Sequence, residues 1–378
     1  MTDDTVYVTQ PTLPPLEEFI PYLRQIWDSK RLTNNGPMHQ QLECALREYF
    51  RVRDVVLFCN GTVAILAALR ALNICGEVIT TPFSFVATSH AIRWSGLLPT
   101  FVDTAPGSFN IDPDLIERAI TPDTVALMPV HCYGYPCDTA AIAEIANRHG
   151  LKVIYDAAHA FGVEDHGGSL LAHGDLSVLS FHATKVFTTL EGGAVVCHDE
   201  EAKRRLMNVR NFGIANETTV LDTGINGKLN EISAAFGLLQ LEHVAGFIES
   251  RAAISQRYRD LLSGIPGIWV PPPPEVASAN HSYFPVLVTP DFPMGRDALY
   301  DFMRANGVHP RRYFYPLITE HSMYRDARGA TRSNLPNAAV LSDQILCLPI
   351  YPELELAVVE SIADLITDAA RSSRPPNR

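Results

Sequence analysis

Val153-Ile-Tyr-Asp-Ala-Ala-His159 is a short apolar run that ends on a carboxylate, and Leu176-Ser-Val-Leu-Ser-Phe181 is a second such run, followed closely by Lys185. Both are short, apolar and bounded by small or polar residues, which predicts buried strands. Working outward, similar runs occur at 55–58, 78–80, 100–102, 125–129 and 194–197. Between them the apolar residues fall at helical spacing, over 63–72, 86–94, 113–120, 139–148 and 200–209. Strands with few outward polar residues, separated by helices, predict an α/β fold. Its core is a mostly parallel, seven-stranded-type sheet with helices on both faces. The ligand site of such a sheet lies at the carboxyl ends of its strands.

Two helices precede the alternation. Leu16, Phe19, Ile20, Leu23, Ile26 and Trp27 share one face, as do Leu42, Ala45, Leu46, Tyr49 and Phe50. Near Glu231 the pattern changes. Residues 231–262 predict one long helix, bent around Gly246. A strand (283–288), a helix (297–305), the irregular segment 310–316 and a last helix (353–369) follow. The expected organisation is a large domain over 1–250 and a smaller C-terminal α+β domain over 251–378.

The net charge of −12 argues against non-specific nucleic-acid binding, which needs a basic face. The seven cysteines are scattered without a C-x-x-C pair, as in a reduced cytoplasmic protein. The acidic, polar start MTDDTVYVTQ is unlike a signal peptide, and no apolar run reaches membrane-helix length. The Ser/Pro/Arg-rich stretch from Arg371 to Arg378 is expected to fray. His131, Cys132 and Cys137 match no zinc spacing, so no metal is expected. His173, His243 and His321 show no partner in sequence and read as structural.

The common phosphate and dinucleotide fingerprints are missing: no G-x-G-x-x-G follows the first strand, and no G-x-x-x-x-G-K-[ST] occurs. What remains is Asp156 at the end of one strand, and Lys185 in Ser180-Phe-His-Ala-Thr-Lys185 beyond another, close to Glu191-Gly-Gly193. Taken singly, such residues read as a surface salt bridge. Together they suit pyridoxal phosphate. The lysine amine forms an imine with the aldehyde, and the buried carboxylate keeps the pyridine nitrogen protonated. Asn60-Gly-Thr62, opening a helix, then offers backbone N–H groups to a phosphate, although the same triplet also reads as an ordinary helix cap.

These segments, with Thr81-Pro-Phe-Ser-Phe-Val-Ala-Thr88, Gly224-Ile-Asn226 and Leu348-Pro-Ile-Tyr-Pro352, resemble the DegT/StrS-type sugar aminotransferases of the aspartate-aminotransferase fold. The resemblance runs over nearly the whole chain. It implies pyridoxal 5'-phosphate bound covalently through Lys185, which also moves protons. Asp156 would pair with the ring nitrogen, His159 would lie near the ring hydroxyl, and Phe85 would stack on the ring. Gly61, Thr62 and Ser180 would hold the phosphate. Asn226 would reach the phosphate of a neighbouring subunit, which implies a homodimer with shared active sites. The family usually carries Arg where this chain has Lys228, and the two are not equivalent at a bidentate site.

For the substrate, the resemblance points to Asn34 within Thr33-Asn-Asn-Gly36, to Lys228, and to Arg311, Arg312, Tyr313 and Tyr315 in Arg311-Arg-Tyr-Phe-Tyr-Pro316. Arginine suits a pyrophosphate because its fork donates two hydrogen bonds. The pairing of these segments looks most like the transaminases acting at C4 of dTDP-4-keto-6-deoxyglucose. Those use L-glutamate and give dTDP-4-amino-4,6-dideoxyglucose and 2-oxoglutarate. Such sugars enter O-antigens of lipopolysaccharide or antibiotic glycosides. The alternative is a C3 transaminase on a dTDP-3-keto-6-deoxyhexose. A sugar dehydratase of this fold replaces the lysine by histidine, against Lys185. A non-catalytic sensor is usually fused to a DNA-binding domain, and no basic helix-turn-helix stretch occurs here.

Overall fold

The computed structural model describes residues 5–372, so most of the stretch from Arg371 to Arg378 lies outside the described residues. Seven strands form the central sheet, in the spatial order Asp54–Phe58, Gly193–Cys197, Leu176–Ser180, Lys152–Asp156, Thr124–Met128, Glu77–Thr80, Leu98–Phe101. All neighbours are parallel except around Gly193–Cys197, which runs antiparallel to both strands it touches. Every residue of Asp54–Phe58 is buried, because both faces of the sheet are covered. Val55 and Leu57 point into one core, with the helix Pro37–Phe50 and the first half of the helix Glu231–Leu262. Val56 and Phe58 point into the other, with the helices Gly61–Leu72 and Glu200–Arg210. The strand period of two thus serves two cores at once, which is why these runs are apolar throughout rather than alternating.

The helix Glu231–Leu262 runs unbroken for 32 residues. It does not stop at Gly246, where an added Cβ would meet open space. Residue 250, the boundary expected between the two parts, therefore lies inside a continuous helix. The helix shares its first half with the sheet's core. Its second half (Ile254, Tyr258, Leu262) packs in a separate core with Phe284, Leu299, Ile362 and Ile366. That second core sits on an antiparallel sheet of Ile268–Trp269, Phe284–Val288 and Ile345–Leu348, under the helices Arg296–Ala305 and Leu356–Ser372. Val6–Tyr7 pairs with Val308–His309, so these two residues join this lobe.

The helix Pro37–Phe50 has Gly36 as its N-cap, with no capping side chain of its own. Glu231 caps it from across the fold: its carboxylate accepts from the N–H groups of Met38 and His39, both at 2.9 Å. A Cβ on residue 36 would lie 2.5 Å from that carboxyl carbon, which is the reason for glycine there. Asn34 and Asn35, both at positive φ, lead the chain into this cap.

Candidate active site

Asp156 ends its strand at the carboxyl edge of the sheet and is 6% exposed. Its two oxygens are held separately. Thr88 donates its hydroxyl to Oδ2 at 2.7 Å, and the Ala158 N–H donates to Oδ1 at 3.1 Å. Burial pushes the carboxyl up from its ordinary value, against the pull of these donors and of the Lys185 charge. Lys185 follows the neighbouring strand, on a loop turned by its own N–H bond to the His182 carbonyl at 2.9 Å. Burial brings its amine down to about 8, with Asp156 opposing the shift. A carboxylate and a readily deprotonated amine therefore face one cavity of about 340 Å³.

His159 closes one side of that cavity. Burial, reinforced by Lys185, holds its imidazole well below its usual pKa, so the ring is neutral. Its Nδ1 accepts from the Tyr133 N–H at 3.1 Å, which assigns the proton to Nε2. That Nε2 lies 3.5 Å from the Tyr283 hydroxyl, beside the cavity. The side chain of Asn280 and the hydroxyl of Ser282 brace His159 from behind through its carbonyl oxygen, at 2.8 and 3.1 Å.

The N-terminus of the helix Gly61–Leu72 opens onto the same cavity. Asn60 caps the helix Gly61–Leu72 by accepting from the Val63 N–H at 2.8 Å. Gly61 and Thr62 belong to the first helical turn, whose N–H groups have no partner within the helix. A Cβ on residue 61 would sit 2.9 Å from the Ser180 Cβ, so glycine lets the helix end close against Ser180. Gly193 is as tightly placed: a Cβ there would be 2.7 Å from the Asn60 carbonyl. A helix N-terminus, a serine hydroxyl, a carboxylate, a lysine and a neutral imidazole donor surround one space. The donor set fits pyridoxal phosphate: anion cradle, ring-nitrogen acceptor, aldehyde-bonding amine and a donor for the ring hydroxyl.

Of the residues singled out in sequence, Gly61, Thr62, Phe85, Asp156, His159, Ser180, Lys185 and Tyr313 line this cavity. Phe85 is 59% exposed there, an apolar ring left open for a ligand or another chain. Asn34, Asn226, Lys228, Arg311, Arg312 and Tyr315 are not among the cavity's lining residues. Lys228 donates to the Asn211 side chain at 3.0 Å and lies over Phe212. Arg312 is occupied elsewhere: it donates to Asp297 at 2.7 Å and stacks between Tyr300 and Tyr315. Arg311 pairs through its backbone with Cys347, and its side chain is exposed. The Tyr313–Phe314 and Tyr315–Pro316 peptide bonds are cis. Sequence reading passed over Ser84, Thr88, Tyr283 and Phe314, all of which border the cavity. Ser84 and Thr88 belong to the stretch Thr81-Pro-Phe-Ser-Phe-Val-Ala-Thr88 that also carries Phe85. Tyr283 arrives from the small lobe and has no local signal.

His131 is a core residue: its Nδ1 accepts from the Cys137 N–H at 3.0 Å, it stacks on Tyr155, and burial takes its pKa to about 3. His173 and His243, without partners in sequence, pair with Asp165 and Glu18 at 2.6 and 2.7 Å. Among the described residues, no group of three or more His, Cys, Asp or Glu is arranged to hold a metal, and no helix is long and apolar enough to cross a membrane.

Comparison with known proteins agrees with this geometry. The chain is 53% identical to a dTDP-4-amino-4,6-dideoxy-D-glucose transaminase of Shigella dysenteriae, over 96% of this chain and 98% of that one. It is 50% identical to an Escherichia coli protein of the same name, over 97% and 99%. The crystal structure of DesI in the presence of its TDP-sugar product superposes with a TM-score of 0.91 at 33% identity, covering 98% of this chain and 94% of that one. The model of the DegT/DnrJ/EryC1/StrS aminotransferase family matches residues 16–367, and the chain belongs to that family.

Proposed function

We propose that the protein is a pyridoxal-phosphate-dependent transaminase that moves the amino group of L-glutamate to C4 of dTDP-4-keto-6-deoxyglucose. The products are dTDP-4-amino-4,6-dideoxyglucose and 2-oxoglutarate. The observation that carries the reaction type is the placement of Lys185 and Asp156 on one cavity, with a depressed amine and a buried carboxylate. The substrate rests on half-identity over nearly full length to relatives that carry this name, against 32% to a 3-amino-3,4,6-trideoxy-sugar transaminase and 31% to GDP-perosamine synthases.

When bound, the cofactor supplies a carbonyl that exchanges for the amino group and a ring that acts as electron sink. Near neutral pH the Lys185 Nζ both holds and releases a proton, as acid–base work at substrate carbon requires. Asp156 would offer its acceptor to the cofactor's ring nitrogen, and His159 would offer its Nε2–H to a ring oxygen. Gly61, Thr62 and Ser180 would hold the phosphate. Tyr283, Tyr313 and Phe314 form an aromatic wall that keeps water from the reacting atoms.

A homodimer with shared sites and a cytoplasmic location complete the proposal. Its support is the segment carrying Asn226. Phe212, Ile214, Val220, Leu221 and Ile225 are 37–66% exposed along it, an apolar surface that asks for cover. Asn226 itself is exposed and lies outside its own chain's cavity. The deciding experiment offers the 4-keto and 3-keto 6-deoxy sugars separately, with glutamate, and locates the new amine by NMR. Amination at C4 is expected. Efficient turnover of the 3-keto isomer alone would overturn the C4 reading.

A further inference from the structure

Thr88 is completely buried in the first turn of the helix Ala87–Trp94, whose N-cap has no side-chain hydrogen bond. Its hydroxyl instead faces Asp156 Oδ2 at 2.7 Å, and its oxygen lies 3.0 Å from the hydroxyl of Ser84, itself 4% exposed. A hydroxyl has one proton to give. If Thr88 gives it to Asp156, the remaining contact requires Ser84 to donate to Thr88. Both protons then point along one line toward the carboxylate. Only a proton on Asp156 Oδ2 directed at Thr88 would have to reverse the pair; in every other state Thr88 donates, and it donates most strongly to the charged form. We propose that Thr88 is a positioning residue that holds Asp156 as an oriented carboxylate, with Ser84 completing the hydroxyl relay.

The surroundings explain why the carboxylate needs such a device. The titratable groups around Asp156 are Lys185 on the loop after one neighbouring strand, Cys132 and Cys137 on the loop after the other, and His159 beyond Asp156 itself. Burial keeps both thiols and the imidazole neutral. Lys185 is the one cation among these groups, and its amine loses its proton near pH 8. Once that charge is gone, fixed dipoles must hold the anion. The Thr88 hydroxyl is one of two that touch it, the Ala158 N–H being the other. Hydrogen bonds to a charged acceptor are the strong ones, and each carboxylate oxygen here has one donor, leaving its other lone pair for the cavity.

The inference rests on the transaminase reading above, so its test is read without cofactor. The apo-protein is prepared with carboxyl-labelled aspartate, the Asp156 resonance is assigned with Asp156→Asn, and its titration is followed by carbon NMR. In Thr88→Val, which keeps the shape and removes the donor, the Asp156 midpoint should move to higher pH. Thr88→Ser should return it to the wild-type position. In the loaded enzyme, conversion by glutamate should slow roughly ten- to a hundredfold in Thr88→Val and recover in Thr88→Ser. A merely structural Thr88 would lower stability and leave the midpoint alone. A folded Thr88→Val with the wild-type midpoint overturns the proposal. Should Thr88→Val fail to fold, Ser84→Ala takes its place. It should move the midpoint in the same direction by less, and an unmoved midpoint there is equally fatal. A wild-type protein that fails to transaminate would sink the proposed function instead, without touching the titration.

Discussion

Asp156→Asn separates two effects that a simple loss of activity would confuse. Asp156 lifts the affinity of Lys185 for its proton, while burial lowers it, and the balance leaves the amine at about 8 rather than 10.5. At pH 7 that makes about one amine in ten free, against about one in three thousand for an ordinary lysine, so burial has enriched the base roughly 300-fold. An amide carries no charge. Its introduction removes the opposing pull, so the Lys185 midpoint should fall and still more free amine should be present at pH 7. If amine basicity limited the reaction with glutamate, the variant would be as fast as wild type or faster. The site predicts the opposite. An amide cannot keep the cofactor's ring nitrogen protonated, and removing a preorganised electrostatic partner of this kind costs about 10²–10³ in rate. Two assays are needed. Competitive acetylation of the apo-protein, read by mass spectrometry across pH, gives the Lys185 midpoint, and rapid mixing of the loaded enzyme with glutamate gives the half-reaction. Unchanged conversion by glutamate, or a lysine midpoint that rises, would refute the assignment of Asp156.

Lys185→Ala should abolish turnover and the visible absorption of the covalently bound cofactor, while cofactor still associates through the cradle; spectrophotometric titration of the apo-variant checks both. Arg311→Ala should raise KM for the nucleotide sugar more than Arg312→Ala does, because Arg312 is already committed to Asp297 and two tyrosine rings; steady-state kinetics of both variants would expose an equal effect. Glu231→Gln turns an amide donor toward the buried N–H of Met38 or His39 and should cost about 1–3 kcal/mol in denaturant titration. The protein should be a dimer in solution, and Asn226→Ala should weaken cofactor retention without monomerising it; light scattering that finds an active monomer contradicts the shared site.

The sheet was legible because its chemistry is local. Each strand faces two apolar cores, so the run itself is apolar, and small or polar residues follow at once after Phe58 and Asp156 and one residue later, past Phe181, after Ser180. The helix Glu231–Leu262 was legible to the residue, and Gly246 lies within it facing open space rather than ending it. The small lobe was read less well. Ile345–Leu348 is a buried strand joined directly to the helix Pro336–Gln344, and no turn residue separates them in sequence. The last helix starts at Leu356 rather than at Glu353. Pro352 and Glu353 belong to a turn, where Glu353 accepts from the Thr12 hydroxyl at 2.8 Å.

The site divides along the same line. Lys185, Asp156, Gly61 and Ser180 were visible because each ends its strand or follows it within a few residues, and strand ends at one sheet edge must converge. Arg312 and Tyr315 were read as substrate residues because the resemblance places their segment over the site and arginine suits a pyrophosphate. The same pair also satisfies itself: Arg296, Tyr315, Arg312 and Tyr300 stack as a ladder around Asp297, and no sequence pattern distinguishes a ladder that binds from one that braces. Thr88 shows the reverse error. It lay in a quoted motif and drew no role, since a threonine early in a helix usually concerns that helix alone. Its partner is far along the chain, and only the folded sheet brings the two within 2.7 Å. What the sequence leaves without a role is therefore not the reacting groups but the two neutral hydroxyls that the fold sets against a buried carboxylate.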